Sequence, residues 1–129
     1  MSTEKTKNYG LHAWRPEDSF LRAEINENFA ALDEKAVRMV FGSYTGELPE
    51  YGGTVRNIQL GARPRVVIVT TSEGFSYGTG RYFSAMAGPG LPAETALILG
   101  EEGFSVCNEK GGSILLNISG HTYHYLALL

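Results

Sequence analysis

An arginine and several aromatic side chains surround a glycine-rich turn in segment 75–83. Sugars are held in proteins by stacking on aromatic faces and by hydrogen bonds from arginine and tyrosine side chains. Tyr77, Arg81 and Tyr82 are therefore the predicted ligand-binding residues. The alternative is that the phenylalanines at both ends of the segment belong to the core and that only the two tyrosines reach solvent.

Histidine and cysteine are too sparse to predict a metal centre within one chain. Cys107 is the single cysteine, so one chain forms neither a disulfide nor a cysteine metal cage. His121 and His124 lie three residues apart in a predicted strand and point to opposite faces. We predict no metal site and no cofactor, and assign both histidines to surface or inter-subunit hydrogen bonds. An ion shared by several copies on a symmetry axis stays open.

The patterns of catalytic residues do not favour an enzyme. We expect no nucleophile elbow in this chain. Glu101 and Glu102 are adjacent in a predicted turn, where carboxylates are ordinarily solvated, so they do not form the patterned pair of a glycosidase. The glycines of segment 78–81 are not followed by a predicted helix, which a phosphate-binding loop needs. The sequence therefore predicts a protein that is not an enzyme.

Size and charge limit the class of protein. The 129 residues, 43% of them hydrophobic and 19% charged, suit one compact domain with a small appendage and do not suit disorder throughout. A formal net charge of −3 provides no basic field for phosphates, so nucleic acid is not an expected partner. Residues 1–7 are polar and no apolar run is long enough to cross a bilayer, so we expect cytoplasmic synthesis without a signal peptide or membrane insertion.

The element predicted near the start of the chain is a helix. No glycine occurs in residues 11–41, and apolar residues recur at helical spacing from Pro16 to about Val40. Pro16 suits the first helical position, and the acidic Glu17 and Asp18 favour the positive end of the helix dipole. The apolar helix stripe consists of Leu21, Ile25, Phe29, Leu32 and Ala36.

A helix of about 20 residues with one apolar face must bury that face, because an isolated helix of this length is marginal in water. It packs either on its own β-domain or on copies of itself, and we predict self-association. Asn28, at the edge of the stripe, either fixes the register of the copies or faces solvent. Trp14 is predicted to lock the start of the helix and to serve in attachment. The predicted oligomerisation residues are Leu21, Ile25, Asn28, Phe29 and Leu32.

The remaining chain has the pattern of strands separated by glycine and proline turns. Residues 113–118 alternate between two faces, whereas 66–69 form the continuous apolar run typical of a strand covered on both faces. We predict a mainly β fold, an antiparallel β-sandwich (41–129) preceded by a lead-in and one N-terminal amphipathic α-helix (1–40). The candidate strands are 39–44, 54–60, 65–71, 75–87, 95–99, 103–107, 113–118 and 122–128.

Segment 18–33, with the letters DSFLRAEINENFAALD, resembles the E-[IF]-N-E-N-F-x-x-L-D segment near the start of many bacteriophage and prophage tail-fibre and tail-associated proteins. Segments 56–69, 102–106 and 120–127 are similar to the C-terminal β-domain of such proteins, in the order I-x-L-G-x-x-P-x-x-V, G-F-x-V and Y-x-Y-x-A. Ala62 departs from that pattern, which usually has an aromatic residue after L-G. A fainter similarity links the β-domain with H-type lectins, which are trimeric sugar-binding sandwiches.

The resemblance implies a virion component of the phage tail. It implies a homotrimer whose helix attaches the chain to other phage tail proteins and whose β-sandwich contacts a bacterial surface carbohydrate. Two alternatives remain, because one fold serves many functions. The first is a purely structural tail, baseplate or head-decoration protein without receptor binding, and the second is a stand-alone lectin-like carbohydrate-binding protein.

Overall fold

A computed structural model describes residues 1–49, 54–72, 80–91, 96–109 and 111–129 of the chain. The chain divides into two compact units, Met1–Val37 and Arg38–Leu129. The sequence pattern places this division after residue 40, three residues later.

Unit 1, residues 1–37, combines a small β-hairpin with a helix. Strands β1 (Glu4–Lys5) and β2 (His12–Ala13) pair antiparallel, and helix α1 spans Arg22–Lys35. The Thr6 hydroxyl closes the turn of the hairpin by accepting a hydrogen bond from the Leu11 amide at 2.9 Å. The sequence predicts only an extended lead-in here, because two-residue strands leave no periodic pattern to detect.

Helix α1 begins at Arg22, not at Pro16 as predicted. Asp18, which was expected in the first helical turn, lies outside the helix. Its carboxylate accepts hydrogen bonds from the backbone amides of Thr3 at 3.0 Å and Arg15 at 2.9 Å. Short acidic side chains that bind nearby amides compete in this way with helix formation, and here the turn prevails.

Unit 2, residues 38–129, contains seven strands within the described parts of its chain. They are β3 (Met39–Thr45), β4 (Arg56–Gln59), β5 (Val66–Thr71), β6 (Ala85–Ala87), β7 (Leu97–Leu99), β8 (Gly103–Val106) and β9 (Thr122–Leu128). A four-stranded antiparallel sheet has the order β3-β9-β5-β6, and a three-stranded one has the order β4-β8-β7. The predicted class, a mainly β sandwich preceded by a helix, is confirmed.

The core of unit 2 lies between the two sheets. The four-stranded sheet contributes Val67, Val69 and Tyr123, and the three-stranded sheet contributes Phe104 and Leu97, all nearly inaccessible to solvent. Alternation along each strand sends every second side chain into this core. The sandwich therefore leaves one outer face on each sheet.

Segment 113–118 is not the strand that its alternating letters predict. It forms only isolated bridges, and Leu115, Leu116 and Asn117 are buried in succession. Polar groups from elsewhere in the sandwich hold its backbone. The Tyr44 hydroxyl donates to the Leu116 carbonyl at 2.7 Å, and the Asn117 amide donates to the Asn108 side-chain oxygen at 2.9 Å. Burial on both sides removes the two-face pattern on which the prediction rests.

Candidate interaction surfaces

One face of α1 is covered by the N-terminal hairpin through polar contacts. The buried Glu24 carboxylate accepts hydrogen bonds from the Ser2 amide at 2.9 and 2.8 Å, one to each oxygen. The Trp14 indole donates to the same carboxylate at 3.0 Å. Farther along the helix, the Lys35 ammonium donates to the Tyr9 carbonyl at 3.0 Å. The hairpin is therefore anchored near both ends of α1.

Asn28 anchors the hairpin at the middle of the helix. Its side-chain oxygen accepts from the His12 amide at 2.6 Å, and its side-chain nitrogen donates to the His12 carbonyl at 2.9 Å. The amide thus pairs with both backbone groups of one residue, as a neighbouring strand would. The His12 ring also lies 2.6 Å from the Glu27 carboxylate and 2.6 Å from the Ser2 hydroxyl. We call the helix surface formed by Glu24, Glu27, Asn28 and Lys35 the hairpin face.

The carboxylates that hold the hairpin are stabilised in their ionised form. Burial opposes ionisation of Glu24, but hydrogen bonds from the Ser2 amide and the Trp14 indole outweigh it, and its pKa lies below the ordinary value of 4.5. The hydrogen bond from the Arg15 amide is the main reason that the pKa of Asp18 lies below 3.8. Both groups are therefore negatively charged acceptors at neutral pH.

The apolar helix stripe occupies a different side of α1 from the hairpin face. Phe29 is 66% exposed, Leu21 and Leu32 are each 40% exposed, and Ile25 is half-buried. Leu21 and Ala36 have extended backbone and flank α1, whereas Ile25, Phe29 and Leu32 lie within it. At about 100° per residue, these three are centred about a quarter-turn from the hairpin face. The hairpin therefore satisfies the polar side of the helix and leaves the apolar residues accessible.

The residues predicted for oligomerisation and attachment thus fall into two groups. The apolar Leu21, Phe29 and Leu32 are exposed, whereas Asn28 is engaged within its own chain by His12. Trp14 stacks on Phe20, with ring centroids 4.7 Å apart and planes inclined by 13°. Together with its bond to Glu24, this stacking places Trp14 against the residues that precede and begin the helix.

The predicted ligand-binding residues are only partly described. Tyr77 lies outside the described residues. Arg81 and Tyr82 are exposed, and the Tyr82 backbone pairs with segment 113–115, because its amide donates to the Ser113 carbonyl at 2.8 Å. Phe83 is buried and its ring contacts His121 with centroids 4.6 Å apart, so this end of the segment belongs to the core, as the alternative interpretation has it.

Segment 74–78, Gly-Phe-Ser-Tyr-Gly, contains the Gly-x-Ser-x-Gly letters of a nucleophile elbow. In such an elbow the serine lies on a sharp turn between a strand and a helix. Residues 73–79 are outside the described part of the chain. The next described residues, 80–91, form strand β6 and turns with no helix. The letters alone therefore do not establish a nucleophile.

The two histidines lie in different surroundings and do not form the beginning of a metal site. The His121 ring contacts Phe83 with the two ring planes inclined by 43°, while His124 points outward from the four-stranded sheet next to Ser43 and Thr70. Within residues 1–49, 54–72, 80–91, 96–109 and 111–129, no group of three or more histidine, cysteine, aspartate or glutamate side chains could hold a metal ion.

Two shallow depressions lie on the sandwich. The first, of about 230 Å³, joins Glu101 and Glu102 to Asn57, Gln59 and Ser105. The second, of about 440 Å³, is lined by Arg63, Arg65, Pro64, Gly88, Pro89 and Leu99. Arg63 forms an ion pair with Glu101 between them. The sequence does not predict these depressions, because residues distant in sequence form each wall. Strands β4 and β8 and the turn between β7 and β8 line the first, and Leu99 with the loops before β5 and after β6 lines the second.

The outer face of the four-stranded sheet carries a continuous group of apolar side chains. Cross-strand register aligns Phe41, Leu126, Ile68 and Met86 in one row and Met39, Leu128 and Val66 in the next. Phe41 is 72% exposed, Met39 61% and Met86 42%. We call these seven residues the apolar sheet face.

The neighbouring rows of the same outer face are polar. They contain Ser43, His124 and Thr70, then Thr45 and Thr122. The outer face has twelve outward positions: four in β3, four in β9, three in β5 and one in β6. None of these twelve residues is Asp, Glu, Lys or Arg. Charged residues make up 19% of the chain, so their absence from this surface distinguishes it from an ordinary solvated face.

Comparison of the chain with models of protein families, with curated proteins and with solved structures finds no match. Evidence for a function therefore comes from the surfaces themselves. Among the described residues, no helix is both long enough and apolar enough to cross a membrane.

Proposed function

We propose that this chain is a non-enzymatic structural and adhesion protein of a phage tail. It oligomerises, as a homotrimer, through the apolar helix stripe and presents its β-sandwich to a bacterial surface glycan. Unit 1 attaches the assembly to other tail proteins. The observation that carries the proposal is the exposed apolar stripe on a helix whose polar side is already occupied.

The separation of polar and apolar contacts on two sides of α1 supports self-association. The hairpin face uses Glu24 and Asn28 for contacts within the chain, so these polar residues need no outside partner. Phe29, Leu21 and Leu32 have large exposed apolar surfaces on the neighbouring side. Taking a side chain of this kind from full exposure to full burial is worth about 1.5–3 kcal/mol, so burying the exposed fractions gains about 1–2 kcal/mol for Phe29 and about 0.6–1.2 kcal/mol for each leucine. Copies of the same helix supply a complementary apolar surface.

The segment that resembles tail-fibre proteins contains residues of both helix surfaces. Of the letters E-I-N-E-N-F, three belong to residues that hold the hairpin, namely Glu24, Glu27 and Asn28. Ile25 and Phe29 belong to the apolar stripe. The segment therefore combines a contact inside the chain with a surface for contact between chains, which supports an attachment and assembly role.

The helix part of the proposal is tested by charge substitution. The triple variant Leu21→Asp, Ile25→Asp and Leu32→Asp should reduce the mass of the particle to that of a monomer in light scattering. A matched control places the same three charges at the exposed positions Ala23, Asn26 and Ala30 of α1 and should keep the oligomer. An unchanged mass in the first variant, with folding verified by circular dichroism, would contradict oligomerisation through the stripe.

The adhesion part is tested separately with purified bacterial surface polysaccharides and a glycan array. Exposed aromatic and guanidinium groups at Tyr82 and Arg81 support sugar binding. Binding that is lost in Tyr77→Ala and Tyr82→Ala, while the oligomer mass is retained, is the expected result. An intact oligomer that binds no glycan would favour the purely structural tail, baseplate or head-decoration protein. Glycan binding by a protein encoded away from tail genes would favour the stand-alone lectin.

A further inference from the structure

We propose that the apolar sheet face is a second self-association surface, whose occupant is the same face of another copy of this chain. This inference extends the proposed oligomer and rests on the proposed function only where copies already joined through α1 reinforce the second contact. The observations that support the second contact come from unit 2 alone. The interface would be distinct from the apolar helix stripe.

The sequence pattern and the burial of β5 disagree in a way that a covering partner would explain. The apolar run 66–69 is typical of a strand that is covered on both faces. Val67 and Val69 are fully buried, whereas Val66 and Ile68 are only half-buried on the opposite face. The outward half of the run lacks the cover that its composition predicts.

The chemistry of the face favours another copy over a charged partner. Phe41, Met39 and Met86 are of the residue types enriched in the centres of interfaces, where charged residues are depleted. Because none of the twelve outward positions is Asp, Glu, Lys or Arg, two identical faces can meet without burying the charge of such a side chain. The threonine and serine rows provide a polar rim beside the apolar centre.

The area is sufficient for such an interface. Taking about 200 Å² for a fully exposed large apolar side chain, Met39, Phe41 and Met86 expose about 350 Å², and the four half-buried members bring the face to about 500 Å². Two apposed faces then bury about 1,000 Å², the lower limit for a specific interface. Identical faces meet about a two-fold axis, so copies of a homotrimer use this face to join a second trimer, and several such contacts between the same two trimers reinforce an interface of this modest size.

Cross-linking of the full chain tests which surfaces meet. In a Cys107→Ala background, Phe41→Cys should form inter-chain cross-links with a short bismaleimide. Ile98→Cys, at an exposed outward position of the three-stranded sheet, is the matched control and should not. Equal cross-linking of both variants, or of neither, would overturn the proposal. A second result would also overturn the proposal. If the double variant Phe41→Cys/Phe29→Cys forms a cross-link within one chain, and Phe41→Cys forms none between chains, the helix and not a second copy covers the apolar sheet face.

Charge substitution provides the second measurement. Phe41→Glu with Met86→Glu places like charges against each other and should raise the concentration at which the oligomer dissociates by about a hundredfold or more. Ile98→Glu should leave it unchanged. If the helix triple variant dissociates the oligomer and the sheet variant does not, the proposed function stands and the sheet interface fails. If the sheet variant dissociates it and the helix variant does not, the sheet interface stands and the helix route fails.

Discussion

Replacing Asn28 by alanine should release the hairpin from the middle of α1. The substitution removes two hydrogen bonds, at 2.6 Å from the His12 amide and at 2.9 Å to the His12 carbonyl. At about 1 kcal/mol net for each bond, the loss is about 2 kcal/mol. Alanine also raises the helix propensity of α1 by about 0.6 kcal/mol relative to asparagine, which lowers the cost to about 1.4 kcal/mol when the helix itself unfolds but does not affect release of the hairpin from an intact helix.

Asn26→Ala is the matched control, because Asn26 is exposed on the same helix and forms neither of these bonds. This control should gain the same helix propensity without losing the two hydrogen bonds between Asn28 and His12. Since about 2 kcal/mol corresponds to about thirtyfold, the hairpin should open about thirtyfold more often in Asn28→Ala than in either the unmodified chain or the control.

The measurement is amide hydrogen exchange of His12, whose N–H is the donor to Asn28. Exchange that is equally slow in the Asn28→Ala and Asn26→Ala variants would refute the clamp. The mass of the oligomer in Asn28→Ala gives an independent answer about register. We expect the mass to be unchanged, because the Asn28 amide is engaged inside the chain; a change in copy number would assign it to the inter-chain interface instead.

Two other outcomes follow from the same geometry. Because the pKa values of Glu24 and Asp18 are lowered in the folded chain, the stability that these carboxylates contribute is present above about pH 4.5 and is lost as the pH falls through the lowered values. Fluorescence of Trp14, the single tryptophan, should therefore change in that acid range. A signal that changes only near neutral pH would contradict this. Gly103→Ala should destabilise the sandwich by more than about 3 kcal/mol, because an added Cβ would collide with the backbone oxygen of Ile58 in β4. Gly100→Ala is the control and should be tolerated, because the nearest atom to its added Cβ is 3.6 Å away. Thermal unfolding measures the difference, and equal melting temperatures of the two variants would contradict the close approach at Gly103.

Local patterns were sufficient for much of unit 2. Residues 122–128 alternate and contain aromatic and branched side chains, and strand β9 has those bounds. The predicted strand 65–71 differs from β5 by one residue at its start. In both segments the residues have a high β-strand propensity and also lie in a strand of the sheet, so the sequence pattern of apolar and polar residues matches the pattern of burial. Segment 113–118 lacks this agreement, because tyrosine hydroxyls and Asn108 hold it between other parts of the core.

The interaction surfaces depended more on contacts that are distant in sequence. The spacing of Leu21, Phe29 and Leu32 predicts an apolar stripe without any structure. The role of Asn28 could not be inferred from the same spacing, because its partner is the backbone of a short strand sixteen positions earlier. The start of the helix was missed for a similar reason, since Asp18 binds amides that include one at the far end of the lead-in.

The sequence by itself determined the class of fold and the existence of a helix near the start of the chain, because periodicity and composition are properties of neighbouring residues. Only the tertiary structure decided which side of α1 the hairpin covers, and which outward side chains of four strands form one apolar face. Phe41, Leu126, Ile68 and Met86 are scattered along the chain and become neighbours through strand register alone. Register is fixed by packing across the whole sheet, and therefore no single segment contains that information.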